Sequence, residues 1–352
     1  IGDELLLGVV HAWVRELGGE LTIVSLNPEH TARTYATAAV DFLNLGDIAR
    51  ALADSDLFVM GGGGIFQDHH TFNIDALYDP VAADIAQYAR PFYLACQFGV
   101  RTLILAHGVG PLSSSQSRQV VRDVFSLADA VSLRDEQSSV LLKSIGVERE
   151  LLVAADPGWF AAGQVLPLAE DAPSVADKGG KKRLALIIRE WWKDAGWEDK
   201  LIDAVNRQLP DGWCCQWFAF QHALDESRAS SDRPFLERLS TALDPRIDSE
   251  IVVCSDVAKT VADIGCCDAV VSMRLHGSIL SLALDKPCAF LEYDDKMTQA
   301  HNMAQIPPEL RIELAAPVEA YQALLARLFR GEPAWRIARP VLASLQASSL
   351  EH

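Results

Sequence analysis

The sequence predicts an α/β protein made of two successive arrays of parallel strands and covering helices. Three observations carry that prediction. Short apolar runs of strand length alternate with segments of helical periodicity over most of the chain, the pattern of βα units feeding a parallel sheet. The alternation lapses once, across "GQVLPLAEDAPSVADKGGKK" at 163–182, and then restarts. The chain has 352 residues, too many for one ordinary hydrophobic core and suited to two.

The first half opens with an amphipathic helix, "DELLLGVVHAWVREL", and a buried strand, "LTIVSL". A helix over "DIARALADS" leads to "LFVMGGGG", a strand running into glycines. A long helical stretch is predicted over 77–99, then strand "RTLILAHGVG" and helix "SQSRQVVRDVFSLA". Strand "AVSLRD", helix "EQSSVLLKSIG" and strand "LLVAADPG" complete this array. The lapse at 163–182 is rich in Pro, Gly, Ala and charge and is placed as the domain linker. The second array starts with strand "RLALIIR", a helix near 198–208 and strand "WCCQWFAF". Helix "PFLERLSTAL", strand "EIVVC" and helix "VAKTVADIGC" follow. Strand "AVVSM", helix "HGSILSLALD" and strand "CAFLEY" close it. Residues 316–347 read as helices interrupted by Pro333 and Pro340. The predicted domains are therefore 1–165, 181–315 and the helices of 316–347. The ending "SSLEH", 348–352, resembles a cloning scar before a histidine tag, and the start at Ile1 implies a leading segment outside this numbering.

Composition narrows the function. A net charge of −17 disfavours nucleic acid and anionic lipid, which require dense Lys and Arg. An anionic substrate would then need a local cationic site. No apolar run approaches the roughly 20 residues of a membrane span, and no secretory signal is visible. The seven cysteines are odd in number, lack zinc-type spacing and lie mostly in apolar segments, so they read as thiols of a reducing compartment, the cytoplasm.

In open α/β sheets ligands bind where strand ends lead into helix N-termini, so the strand ends hold the candidates. Gly61 to Gly64 follow the strand at 57–60; without side chains Gly62, Gly63 and Gly64 can bring amides close to a phosphate, carboxylate or sugar, or simply make a tight turn. No Gly-Lys-Ser/Thr follows, so this is not a Walker loop. Asp68, near Gln67, His69 and His70, can take a proton from a sugar hydroxyl or cap a helix. His107 ends another strand. Arg134 can grip a phosphate or carboxylate with two parallel hydrogen bonds, or pair with Asp135, Glu136 or another acid. Arg189 ends a strand before Trp191 and Trp192, which suit either stacking on a sugar or interface packing. Arg274 and His276 stand at the seam between a strand and the helix begun by Gly277 and Ser278, where helix amides and a guanidinium favour an anion. His276 can donate a proton at neutral pH or serve as a core histidine. "LEYDDKM" adds Asp294, Asp295 and Lys296. These residues describe a site for a small dianion, and physics alone stops at an α/β transferase of a phosphorylated or nucleotide substrate.

Taken as a series, the motifs resemble the polysaccharide pyruvyl transferase family. "IGDE", "GGGGIFQD", "GVGPL", "SLRDEQS", "ADPGWF", "IIREWW" and "MRLHGSILSLALDKPCAFLEYDDKM" follow the family's order over nearly the whole chain. His107 departs from the family's usual glutamine. The resemblance implies two Rossmann-like domains in the glycosyltransferase-B arrangement, with an interdomain cleft and C-terminal helices that return to the first domain. It implies phosphoenolpyruvate as donor, a pyruvate ketal on a sugar as product and phosphate as leaving group. The family's donor-site arginine, histidine and lysine fall on Arg134, His276 and Lys296, with Arg274 in the same signature. Arg189, Gly62, Gly63, Gly64, Gly277 and Ser278 are expected to assist donor binding, and Asp68, His107, Trp191 and Trp192 acceptor binding. No metal or cofactor is expected beyond phosphoenolpyruvate as co-substrate. The acceptor is a sugar of a cell-surface glycan or its precursor, such as a lipid-linked one, met in the cytoplasm at the inner membrane face. Two rivals fit the same fold: a nucleotide-sugar glycosyltransferase and a non-catalytic glycan- or phosphate-binding protein.

Overall fold

A computed structural model describes residues 1–68, 72–77, 84–163, 180–221, 231–330 and 337–352, with the side chain of residue 295 excepted. The chain divides into two compact units. One comprises Leu6–Pro157 with Ser348–His352, the other Ile1–Leu5 with Gly158–Ala347.

In the first unit, β1 (Thr22–Ser25) and β2 (Ala38–Asp41) form a parallel pair. A five-stranded parallel sheet holds β3 (Leu57–Met60), β4 (Gly63–Phe66), β5 (Arg101–Val109), β6 (Ala130–Leu133) and β7 (Leu152–Val153). Its order is β3-β5-β6-β7, with β4 beside the far end of β5. β5 is buried along almost its whole length because helices cover both faces, which is why it reads as an unbroken apolar run. Helix starts are fixed by side-chain caps: Ser114 accepts from Ser117 N–H before Ser115–Leu127, and Asp135 accepts from Ser138 N–H before Glu136–Ser144. Phe66, Phe92 and Phe125, wholly buried with Ile104, Val121 and Leu133, centre the core. Each contributes about 1.5–3 kcal/mol by leaving water.

The second unit is one six-stranded parallel sheet. Its strands are β8 (Lys182–Ile187), β9 (Trp213–Ala219), β10 (Ser249–Val253), β11 (Ala269–Ser272), β12 (Cys288–Glu292) and β13 (Arg311–Glu313). The order β10-β9-β8-β11-β12-β13 is the 3-2-1-4-5-6 order of dinucleotide-binding sheets. Strand order reverses between β8 and β11, so the crevice beyond their carboxyl ends is where such a sheet binds ligands. Trp197, Trp217, Leu186, Val271, Leu291 and Tyr321 lie in its core. Tyr321 comes from the helix Val318–Arg330, and its hydroxyl donates to the Leu314 carbonyl at 2.9 Å.

The predicted α/β class with parallel sheets is the observed one, and differences arise where polarity hides an element. The helix Pro28–Tyr35, capped by Asn27, carries few apolar residues, and strand β2 is short and built mostly of small ones, so neither gave a periodic signal. The polar helix Asp295–Met303 likewise starts from a cap, Asp294, rather than from an apolar stripe. The helix expected over 77–99 runs over Ile85–Phe98, with residues 78–83 outside those described. Gly63 and Gly64 are strand rather than loop. A Cβ on Gly62 would lie 3.2 Å from the Ala106 carbonyl oxygen, so the glycine lets the chain pass close to β5 and pair with it. Most of the expected linker, 164–179, and Pro333 lie outside the described residues. Pro340 opens rather than interrupts the helix Arg339–Ser348, its ring suiting a first turn. The Ser348 hydroxyl accepts from Ala155 N–H at 3.1 Å.

Candidate functional site

Three neighbouring strands of the second unit deliver cations to one edge. β8 runs into Arg189, β11 into Arg274, and β12 into Tyr293, Asp294 and Lys296. Met273 N–H donates to the Ile187 carbonyl at 3.0 Å, so β8 and β11 stay paired up to the residue before Arg274. Arg274 is the residue that opens the helix Leu275–Ala283 and makes no side-chain cap bond, which leaves its guanidinium for other partners.

One such partner is Asp232. Arg274 Nη2 donates to Asp232 Oδ1, while Asp232 Oδ2 accepts from Gln221 N–H at 2.7 Å. Burial pushes the Arg274 guanidinium below its ordinary value; Asp232 raises it, and the charge of Arg189 lowers it again. Two cations thus repel each other at the switch point, and Asp232 pairs with one of them. The Nε atoms of Arg189 and Arg274 are both buried and have no hydrogen-bond acceptor among the described residues. Such an arrangement favours a bound anion, which would relieve the repulsion and fill the donor positions.

Aromatic rings wall this edge. The Arg189 guanidinium lies 5.8 Å from the Trp191 ring centroid and 5.6 Å from that of Tyr293, which are 4.5 Å from each other. Burial pushes the Tyr293 phenol up and Asp294 adds to this, while Arg189, which hydrogen-bonds it, and Arg274 pull it down. Trp191 is buried, its Nε1 donating to Asp194 at 3.1 Å and its carbonyl accepting from Trp197 Nε1 at 3.0 Å. Trp192 is 54% exposed. The pair therefore divides: Trp191 is a packed wall and Trp192 lies largely at the surface.

Gly277 permits the helix to start this close to the sheet. A Cβ there would stand 2.7 Å from Ile187 Cγ2 and 2.8 Å from Ser272 Oγ. Ser278 is fully buried, its N–H and Oγ both donating to the Arg274 carbonyl at 2.8 and 3.1 Å. It shapes the seam through the backbone. His276, half-buried, sits in the first helical turn, between Arg274 and Gly277. Lys296 begins the helix Asp295–Met303, its N–H bonded to Asp294 Oδ1 at 3.0 Å.

Sequence reasoning missed the buried support beneath. His301 Nδ1 meets Glu292 Oε1 at 2.7 Å, and His301 Nε2 lies 3.4 Å from Ser278 Oγ. Glu292 also accepts from Thr298 Oγ1 at 3.0 Å. Burial pushes the Glu292 carboxyl up, but its bonds to His301 and Thr298 and the Arg311 charge bring it below its ordinary value. Burial pushes the His301 imidazole down more than Glu292 raises it. Both folded values lie below the unfolded ones, so the unfolded chain binds more protons. The stability these groups supply is present above about pH 6.5 for the histidine and about 4.3 for the glutamate, and acid removes it in that order. The wild-type protein is expected to lose thermal stability as the pH falls below about 6.5, and His301→Gln to flatten that slope. Melting curves across this range check it, and equal slopes would refute the assignment.

The first unit carries the other candidates. Arg134 ends β6 and pairs with Asp156, Nη1 to Oδ2 at 2.9 Å, both nearly buried. Its acid partner is thus neither Asp135, which caps a helix, nor Glu136. Gly108 lies against the guanidinium: a Cβ would be 2.7 Å from Arg134 Nε. His107 is wholly buried, with Nε2 3.2 Å from the Met60 carbonyl and its ring edge-on to Phe66. Gly63 is buried beside it in the β4–β5 ladder, with Gly62 and Gly64 partly covered. Asp68 accepts from Ser113 N–H, Ser114 N–H at 2.9 Å and Ser117 Oγ at 2.5 Å. Burial raises its carboxyl, but the bonds from Ser117, Ser114 and Ser113 outweigh this and hold it below the ordinary range. It anchors the start of a helix, and a lowered value makes it a weaker base. His69 and His70 lie outside the described residues. Among the described residues no group of three or more His, Cys, Asp or Glu is placed to hold a metal, and no disulfide links the seven cysteines.

Comparison with known structures places the fold among glycosyltransferase-B proteins and UDP-GlcNAc 2-epimerases. The UDP-GlcNAc 2-epimerase of Methanocaldococcus jannaschii is 10% identical, with a TM-score of 0.63 over 99% of this chain and 94% of its own. A glycosyltransferase of Rickettsia africae is 13% identical, with a TM-score of 0.54 over 99% and 88%. The Anabaena HepE protein, in complex with UDP and glucose, is 12% identical, with a TM-score of 0.53 over 92% and 84%. At these identities the likeness is one of fold. A family model of polysaccharide pyruvyl transferases matches residues 1–295, from the first helix through the seam at Arg274 and His276 to the end of β12 and beyond. With most of its length matched in this way, the chain belongs to the polysaccharide pyruvyl transferase family.

Proposed function

We propose that the protein transfers the pyruvyl group of phosphoenolpyruvate to two hydroxyls of one sugar, on a cell-surface glycan or its precursor, releasing phosphate. The observation that carries this reading is the pair of guanidiniums, Arg189 and Arg274, meeting at the switch point with unfilled donors. Phosphoenolpyruvate bears a phosphate and a carboxylate on one carbon and so matches two nearby cations. Lys296 and the first amides of the helix Leu275–Ala283 add positive potential at the same edge.

The reaction balances without an added cofactor. His276 gives a proton to the methylene carbon, and C2 gains carbocation character. A sugar hydroxyl attacks C2 and loses its proton. The C2–O bond to phosphate then breaks, phosphate leaves with the electron pair, and a second hydroxyl closes the ketal and loses its proton. Trp192, at the surface, offers aromatic area for the sugar. Arg134 is assigned to the donor by the family resemblance, and its tie to Asp156 would keep the guanidinium oriented. Among the described residues no helix is long and apolar enough to cross a membrane. A lipid-linked acceptor would be met at the cytoplasmic membrane face.

Incubation with phosphoenolpyruvate and a panel of sugars and glycan precursors tests the reading. Phosphate release that depends on a sugar, with a gain of the pyruvyl mass on that sugar, is expected. Transfer from a nucleotide sugar, with no reaction of phosphoenolpyruvate, would replace it with the glycosyltransferase reading.

A further inference from the structure

Gly2 belongs to the second unit, and its Cα lies against the His276 imidazole. A Cβ built on Gly2 would overlap His276 Nδ1 and stand 3.2 Å from Cε1 and 3.3 Å from Cγ. The three atoms nearest to that Cβ all belong to this ring. Gly2 opens the helix Gly2–Glu16, and its φ is outside the left-handed region that favours glycine. Glycine is also a poorer helix former than alanine. The contact with the ring is what an alanine would break. Gly8, in the same helix, provides the contrast: a Cβ there meets no heavy atom within 4 Å.

The other side of the seam is equally tight. Gly277 fits against Ile187 and Ser272, and Ser278 is bonded through its N–H and Oγ to the Arg274 carbonyl. The backbone carrying His276 is therefore fixed, and the ring has to yield to anything added at Gly2. We propose that Gly2 is a positioning residue for His276: it sets the plane and reach of the imidazole that, in the reading above, protonates the donor. The catalytic part of this inference rests on that reading. The packing part does not.

Four variants test it: Gly2→Ala, Gly8→Ala, His276→Ala and the Gly2→Ala/His276→Ala double variant. Gly8→Ala is expected to keep wild-type turnover and an equal or higher Tm. Gly2→Ala is expected to lower kcat for phosphate release about 100-fold, the scale of an ångström-sized misplacement, with little change in KM. Added to His276→Ala, it should lower kcat no further, because it acts through the ring. Wild-type kcat in Gly2→Ala, or an undiminished effect in the double variant, would overturn the proposal. Histidine side-chain NMR supplies a readout free of the reaction. The resonance lost in His276→Ala identifies the ring; Gly2→Ala should shift it and Gly8→Ala should not. Should Gly2→Ala lower the Tm, removing the ring in the double variant should restore it; a Tm loss that persists without the ring refutes the contact. If the wild-type protein releases no phosphate from phosphoenolpyruvate, the functional reading fails, and an unshifted NMR signal remains the result that would sink the packing claim.

Discussion

On the proposed reaction, His276→Ala is expected to lower phosphate release from phosphoenolpyruvate by about 10²–10⁴-fold, the contribution of a positioned general acid, and to leave the fold intact. His276 is the cleaner probe of the two signature residues at this seam. Removing Arg274 would strand Asp232, which is 7% exposed and gives one oxygen to that guanidinium, so activity and stability would fall together. The His276 side chain is half-buried in a first helical turn, where alanine is well tolerated. Activity and melting temperature, measured on one preparation, separate the two effects. His276→Asn refines the assignment, since an amide hydrogen-bonds a phosphate oxygen but supplies no proton to carbon. Activity restored to within about tenfold of wild type by asparagine would make His276 a phosphate ligand instead of the acid. Wild-type turnover in His276→Ala would remove it from the mechanism.

Asp156→Ala is expected to destabilise the first unit by about 3–5 kcal/mol, the cost of leaving a buried cation without its partner. Arg134 and Asp156 have side chains only 8% and 6% exposed, so solvent offers little screening. The guanidinium has little room to swing outward, because Gly108 lies flat against it. At 1.36 kcal/mol per decade, the loss corresponds to an increase of about 10²·²–10³·⁷ in amide exchange rates for β5 and β6, where exchange follows global opening of the unit. Exchange is the suitable measurement, because a chain of two units need not unfold in one step. A loss under about 1 kcal/mol would mean that water or another carboxylate compensates Arg134.

The most legible strands are those buried along nearly their whole length: "RTLILAHGVG", "RLALIIR" and "CAFLEY" read correctly because a parallel sheet between helices demands continuous apolar runs. The helices at 28–35 and 295–303 escaped because caps rather than apolar periodicity define them. Within the site, Arg189, Arg274, His276 and Lys296 were legible for a topological reason: each follows a strand, and a parallel sheet gathers the carboxyl ends of its strands along one edge. Their supports were not. Asp232 lies 42 residues before Arg274, Asp156 is 22 residues beyond Arg134, and Gly2 reaches His276 from the start of the chain. No local pattern announces such a partner.

The amino-acid sequence alone therefore determined the α/β class, the two strand–helix arrays and the residue types standing at strand ends, because these follow from local periodicity and from the chain order of βα units. Tertiary structure decided which cation keeps which carboxylate, which of two adjacent tryptophans faces solvent and which glycine touches the imidazole. Those are properties of distance and burial between residues far apart in the chain, and they exist only once the sheets have assembled.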